Sequence, residues 1–483
     1  MTRAQTVLAA FALVLAGASA HAAVQTSSSR VPDGDWTRFG FDAARSGVGP
    51  ARTGITARNL GALRAREIQL DGTVDSSPIQ LAGVKVRGRR RDVIFVTTTY
   101  GRTLAIAART GKRLWEFAPK DIGSYEGSAQ ITTASPVADP DRRYIYASSP
   151  DGLIHKLSVS NGHQVWATPV TYDPSHQKIT SPLNITGSSV LVTTGGYIGD
   201  IPPYQGHVVL IDRATGHRTH VWNSLCSDRP GLIHRPGSCH ASDSAIWGRA
   251  GAVVEPGSGR ILVATGNGPF NGSTNWGDSV IELSPKLEPL AHWTPRDEAK
   301  LEHDDLDLGS TSPVLLPGGL AVQGGKAGIL SLLSLKRLIP MRGNGGHHLG
   351  GELQDTALPG RPPMFSASTV WTHAGRTYLY VGTDTGTWAY TLGADRRLHV
   401  AWSRATPGTS PVLAGGLLYV FDQVDGRLNI CSPTTGRLLR SLPAAIGHWN
   451  SPIVVGGRIV LGVGTANSYS TTGKLFIYHL PGR

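Results

Sequence analysis

The chain has 483 residues, among them 60 Gly and 31 Pro, and only 17% are charged. This turn-rich, charge-poor composition excludes a disordered chain and a mainly helical one, and fits an all-β protein. The formal charge of +12 comes from arginines scattered along the chain, except for the run at 87–91. It reads as a solvated basic surface. The sharper alternative is a site for an acidic electron-transfer partner or an anionic envelope surface, and nucleic acid is not an expected partner.

Residues 1–23 have the layout of a secretory signal peptide. Arg3 supplies the positive start, Val7 to Ala16 the apolar stretch, and Ala18-Ser19-Ala20 or Ala20-His21-Ala22 the small-residue cleavage site. A periplasmic or secreted protein follows. No later run approaches the ~20 apolar residues of a membrane span. The cleavage region has no Cys, which argues against a lipid anchor.

From residue 77 onward one pattern recurs eight times. The copies open at Ser77-Pro78, Ser135-Pro136, Ser181-Pro182, Ala245-Ile246, Ser312-Pro313, Ser366-Ala367, Ser410-Pro411 and Ser451-Pro452. The spacing suits one four-stranded sheet per copy, and such a sheet cannot bury both faces alone. Residues 24–483 are therefore expected to form a single eight-bladed β-propeller of antiparallel blades. In copy one, DVIFVTTTYGRTLAIAARTGKRLW alternates apolar and polar residues and turns at Tyr100-Gly101 and Thr110-Gly111, the signature of three short strands. The segment DWTRFGFDAARSG at 35–47 lacks the pattern and is expected to lend a strand to the last blade, closing the ring.

Tryptophans close several copies, at Trp115, Trp166, Trp222, Trp293 and Trp402. A residue repeated at one place in most blades is expected to pack blade on blade, because a ligand is contacted once and not in every copy. Cys226 and Cys239 flank a Pro/Gly-rich loop and are expected to form a disulfide, and Cys431 to be a buried thiol.

In a propeller the connection into each inner strand and the turn after each second strand emerge on the same face. This places Asp75, Thr132, Thr133, Lys178, Asp243, Asp307 and His448-Trp449-Asn450 beside Arg102, Asp151, Asn267, Lys326, Asp384 and Asp425. The densest group is HDDLDLGSTSP, from His303 to Pro313. Its Asp304, Asp305 and Asp307 are oxygen ligands or candidate bases, or else a polar loop whose carboxylates cap turns. ATGNGPFNGSTNWGDS is the second candidate, with Asn267 offering an amide oxygen. His347-His348 reads as part of a Gly-rich loop, since no spaced third ligand accompanies it. There is no haem-attachment, metalloprotease, nucleophile-elbow or Walker motif.

These residues resemble the quinoprotein dehydrogenases, eight-bladed propellers that bind pyrroloquinoline quinone (PQQ) with calcium, and related PQQ-like repeat proteins. The resemblance covers the repeats and is sharpest between Trp247 and Gly328. It implies that Trp247, in AIWGRAG, lies beneath the quinone ring. It also implies that Asn267 and Asp307 bind calcium, that Asp307 is the catalytic base, and that Lys326, in GGKAG, contacts the quinone oxygens. Leu306 stands where the family has Trp. Two family features are absent. The stretch GGYIGDIPPYQG lacks the calcium-binding Glu, leaving Asp200 or Glu126 to replace it, and no adjacent cysteine pair exists. The implied function is oxidation of an alcohol or sugar, with electrons leaving to a separate acceptor such as a cytochrome c or a membrane quinone. The alternatives are a non-catalytic binding platform in the cell envelope and a carbohydrate hydrolase using Asp305 and Asp307.

Overall fold

The computed structural model describes residues 31–233, 238–342 and 346–482. The expected signal peptide lies outside the described residues. Within them the strands form eight antiparallel sheets arranged as the blades of a β-propeller, each with four strands that are in sequential order except in blade eight, and two with a short extra strand. In blade one these are Ile79–Val86, Arg89–Thr97, Thr103–Ala107 and Arg113–Phe117, so the hairpins at Tyr100-Gly101 and Thr110-Gly111 fall where the alternation places them.

Burial follows position in the blade. Inner and middle strands such as Thr103–Ala107 and Leu417–Asp422 are buried along their whole length, whereas outer strands such as Leu398–Arg404 keep most of their residues in water. This is why the middle strands read as near-continuous apolar runs.

The closing tryptophans hold neighbouring blades together. Trp115, Trp222 and Trp293 are buried, and Trp166 and Trp402 half-buried. Three of them dock on the turn glycine of the next blade. A Cβ built on Gly162 would meet the Trp115 ring at 2.6 Å, one on Gly216 the Trp166 ring at 2.8 Å, and one on Gly436 the Trp402 ring at 2.6 Å. Their indole N–H groups donate to carbonyls of the same turns, Trp115 to Val159 at 2.9 Å and Trp402 to Pro433 at 2.9 Å. The Thr-Gly of the repeat and its Trp are thus two halves of one contact, made across the blade boundary.

The ring closes differently from the expectation. The outer strand of blade eight is Arg64–Leu70, paired in register with Gly473–His479, and not the segment at 35–47. That segment instead runs through the centre. Trp36 exchanges backbone hydrogen bonds with Gln80 of blade one, and Ala138 of blade two donates to Thr37. Ala43 accepts from the Asn184 side chain of blade three and from Val254 of blade four. Ser46, Gly47 and Thr53 accept from Val370, Leu413 and Gly457 of blades six, seven and eight. The inner strands leave backbone groups facing the axis, and this segment satisfies them. Arg45 is buried within it and donates to the carbonyls of Phe39, Pro182 and Leu183 at 2.7–3.0 Å.

Copy four also departs from the sequence reading. Its inner strand is Val253–Val254, well after Ala245-Ile246. The intervening residues form a loop that carries Trp247 over the axis. Cys226 and Cys239 form a disulfide, with Cα atoms 6.1 Å apart, and Cys431 is a buried free thiol. No helix of the described residues is long and apolar enough to cross a membrane.

Candidate functional site

A cavity of about 450 Å3 opens at the axis, on the face that carries the connections into the inner strands. Six blades contribute. Thr133 comes from the entry to blade two, Lys178 and Thr180 from blade three, Trp247 and Arg249 from blade four. Asp305 and Asp307 enter blade five, Phe365 blade six, and His448 and Trp449 blade eight. Lys326 and Asp200 reach it from turns after second strands. Of the mouth residues expected from the repeat, Thr133, Lys178, Asp307, Lys326, His448 and Trp449 line this cavity, and Asp75, Thr132, Asp243, Asn450, Arg102, Asp151, Asn267, Asp384 and Asp425 do not. Arg102, for example, pairs with Glu116 and Glu126 near the rim.

Asp307 is the centre of the arrangement. The chain reaches it through the short helix Glu298–His303 and leaves through the turn Leu308–Ser310. Its Oδ1 accepts the Asn267 backbone N–H at 2.9 Å and the Trp247 indole N–H at 3.3 Å. Its Oδ2 lies 2.6 Å from Lys326 Nζ, which also lies 2.6 Å from Asp305 Oδ1. The ammonium stands 5.7 Å from the centre of the Trp247 ring. Glycine is required at 266, since a Cβ there would lie 2.0 Å from Asp307 Oδ1. The Gly-Asn of the sequence is therefore a slot for this carboxylate as much as a ligand. Burial would lower the Lys326 ammonium, but Asp307 and Asp305 outweigh it and hold the group above the usual lysine range.

Asn267 and Asp278 lie just outside the cavity. Asn267 Nδ2 donates to Asp305 Oδ1 at 3.0 Å, while its Oδ1 is buried without a partner. Asp278 is buried and accepts the Leu308 N–H at 2.8 Å. Burial above all, with the charge of Asp307 adding, pushes its carboxyl well above the usual range.

The opposite wall is cationic. Arg249, only 2% exposed, donates to the Asp75 carbonyl, and its Nε and Nη1 are buried without partners. Its guanidinium stands 5.9 Å from the ring of Phe39, which the central segment supplies from the other side. Asp75 accepts from His448 Nδ1 at 2.7 Å and from the Ala466 N–H at 3.0 Å. Burial would raise this carboxyl, but His448, Arg249 and the N–H together hold it below the usual range. Lys178 is paired with no carboxylate among the described residues and stands 5.8 Å from the Tyr197 ring. Burial pulls it down to about 8. Phe365 and Trp449 stack at 5.2 Å, each about 6 Å from Trp247. Sequence reasoning missed Arg249, Phe365 and Tyr197. Arg249 was findable, two residues beyond Trp247 in the same loop.

A planar, anionic aromatic cofactor fits these walls. Trp247 offers a ring face, and the unused Arg249 donors and the Lys178 ammonium call for negative charge. Calcium does not fit. It takes six to eight oxygens, and Asn267 Oδ1 is a suitable orphan, but the Asp307 oxygens are already engaged by N–H groups and an ammonium. Asp200 is held by the Tyr204 hydroxyl at 3.0 Å, and Glu126 by Arg102 at 3.0 Å. Among the described residues no three acidic, His or Cys side chains gather around a metal-sized space. In this structure the positive charge between Asp307 and Asp305 is that of Lys326.

Comparisons with known proteins agree with this architecture. The profile of the family described as outer membrane protein assembly factor BamB matches residues 67–268. The 1-butanol dehydrogenase (cytochrome c) of Thauera butanivorans is 24% identical over 249 residues, 49% of this chain and 32% of that protein. The quinohemoprotein alcohol dehydrogenase of Comamonas testosteroni is 23% identical over 348 residues, 64% of this chain and 46% of that protein. Its crystal structure superposes with a TM-score of 0.65 at 17% identity, covering 93% of this chain and 81% of that one. In fold the chain is similar to the quinoprotein alcohol dehydrogenases. This propeller spans about a third to a half of the length of the curated relatives it matches. It shares its fold with BamB from Moraxella catarrhalis as well, at a TM-score of 0.55 and 15% identity over 86% of this chain and 99% of that one.

Proposed function

We propose that this propeller is an exported oxidoreductase that oxidises an alcohol or sugar hydroxyl with bound PQQ. The carrying observation is the convergence of Asp307, Lys326 and Trp247 on a cavity whose far wall offers the unused donors of Arg249 and Lys178. When bound, the quinone supplies a two-electron acceptor for the hydride of the alcohol carbon. Asp307 receives the hydroxyl proton. Three donors fix its carboxylate, and Oδ2, which meets Lys326 alone, keeps an acceptor direction for the incoming O–H. Lys326 holds positive charge where negative charge develops, a preorganised ammonium in place of a metal ion. Arg249 and Lys178 would hold the carboxylates of the cofactor, and Trp247 would carry its ring. Electrons then pass to a separate acceptor such as a cytochrome c, a partner named for the butanol-oxidising relative.

The test is to add PQQ, with no added calcium, to the purified protein and follow tryptophan quenching and dye reduction with a panel of alcohols and sugars. Binding at micromolar PQQ and turnover lost in Asp307→Asn support the reading, and absence of binding overturns it. The match of residues 67–268 to the BamB profile favours a second reading, a non-catalytic platform in the envelope. In that case PQQ does not bind and Asp307→Asn leaves the biological activity unchanged.

A further inference from the structure

The strand order places the turns between first and second strands, and between third and fourth strands, on one face of every blade. The second-to-third turns and the blade-to-blade connections lie on the other face, where the cavity opens. Charge divides with the faces. Among the described residues, cations outnumber carboxylates about two to one in the first set of turns, and carboxylates outnumber cations about two to one in the second. The chain is thus acidic around its mouth and basic on the opposite side, a polarity that the net charge conceals.

The basic side is most concentrated between blades one and two. There Lys85, Arg87 and Arg90 of one first hairpin face Arg142 and Arg143 of the next, across a cleft of about 690 Å3. Arg142 is held by Asp35, at 2.8 Å. The other four are exposed and enter no ion pair among the described residues. Asp141 is the carboxylate in the cleft, and its Oδ1 is engaged by the Arg143 N–H at 2.8 Å. Tyr144 lies at the cleft with Lys156 Nζ 4.2 Å and the Arg143 guanidinium 5.4 Å from its ring centre. Cations lining one cleft without ion-pair partners repel one another, and an occupant bearing several phosphates relieves that repulsion.

We propose that this face docks on an anionic lipid surface, leaving the cavity mouth turned away from the bilayer. Charge complementarity and placement select this occupant. Basic turns recur around the face, with Arg109 and Lys112 in blade one and Arg396 and Arg397 in blade six, so the complement is broad and not a single small anion. An acidic redox protein is a poorer fit. Strand Ile79–Val86 spans the blade with eight residues, which at about 3.3 Å each sets the cleft roughly 25 Å from the cavity end.

The experiment is co-sedimentation of the full chain with vesicles of phosphatidylcholine, with and without about 30% phosphatidylglycerol, at low and at about 1 M salt. Binding only to the anionic vesicles, abolished by salt, is expected. Each basic residue near such a surface strengthens partitioning about five-fold. Arg87→Glu, Arg90→Glu and Arg143→Glu combined should therefore weaken it about hundred-fold or more, with the urea midpoint unchanged. No binding to anionic vesicles at low salt overturns the proposal, and so does binding that ignores the triple reversal. Release by millimolar inorganic phosphate overturns it in favour of a free-anion site, and capture of polyglutamate without vesicle binding in favour of an acidic protein partner.

Discussion

Lys326 Nζ lies 2.6 Å from Asp307 Oδ2 and 2.6 Å from Asp305 Oδ1, so one ammonium serves two carboxylates delivered by a different loop. Deleting the ammonium should uncover a cation site. Lys326→Ala leaves Asp307, Asp305 and the Asn267 oxygen as adjacent acceptors, and calcium binding in the sub-millimolar range is expected by titration calorimetry, where the unaltered protein binds none. Dye reduction should fall at least 100-fold, on the order of 3 kcal/mol of lost transition-state stabilisation. Tight calcium binding by the unaltered protein would show that Lys326 does not stand in for the ion.

Lys178 gives the site a pH signature. Its ammonium, drawn down to about 8 by burial, is charged below that pH and neutral above it. Affinity for an anionic quinone should therefore hold up to about pH 8 and decline beyond it. Lys178→Met should weaken binding about ten-fold and flatten the profile, and Lys178→Arg should extend it upward. The sign for folding is opposite. The unfolded side chain keeps its proton to 10.5, so the burial penalty is full below pH 8 and is relieved as pH rises from about 8 toward 10.5. A urea midpoint that rises across that interval, and ceases to do so in Lys178→Met, is the matching observation.

Asp75 should govern the acid side. Its carboxyl is held below the usual range, so its contribution to stability is fully present above the unfolded value near 3.8 and is lost as pH falls through the folded value. Asp75→Asn strands a buried Arg249 and should cost about 3–5 kcal/mol at neutral pH. It should also remove part of the acid transition, as seen in urea midpoints followed from pH 5 downward through the unfolded value near 3.8.

The Trp–Gly contact between blades offers a test of the repeat itself. Gly162 has a φ of +76°, and a Cβ there would meet the Trp115 ring at 2.6 Å. Gly162→Ala should destabilise by about 2–4 kcal/mol through overpacking and backbone strain combined. Gly187 also has positive φ, but open space lies where its Cβ would go. Gly187→Ala should cost about 1 kcal/mol, the strain alone.

The fold was legible because one blade cannot satisfy itself, so the sequence repeats its solution eight times. The positions of Trp115, Trp166 and Trp402 already imply blade-on-blade packing. The site was legible only where the repeat breaks. Trp247, Asp307 and Lys326 stand out against their copies and do meet in one cavity. Asn267 proved to hold carboxylates through its N–H groups, a role that depends on which end of the amide turns inward. The central path of 35–53 could not be read, because its partners are backbone groups of seven blades and leave no mark on side-chain periodicity. The same holds for closure by Arg64–Leu70, which strand alternation alone does not distinguish from any other outer strand.

That central path carries a consequence for assembly. Residues 35–70 supply both the axle through the ring and its closing strand, and their partners extend along the chain to Gly473–His479. Arg45 can reach its three carbonyls only when blade three has formed around it. Trp36 finds its partner in blade one, whereas Thr53 and Arg64–Leu70 find theirs only in blade eight, so one blade completes both hub and rim.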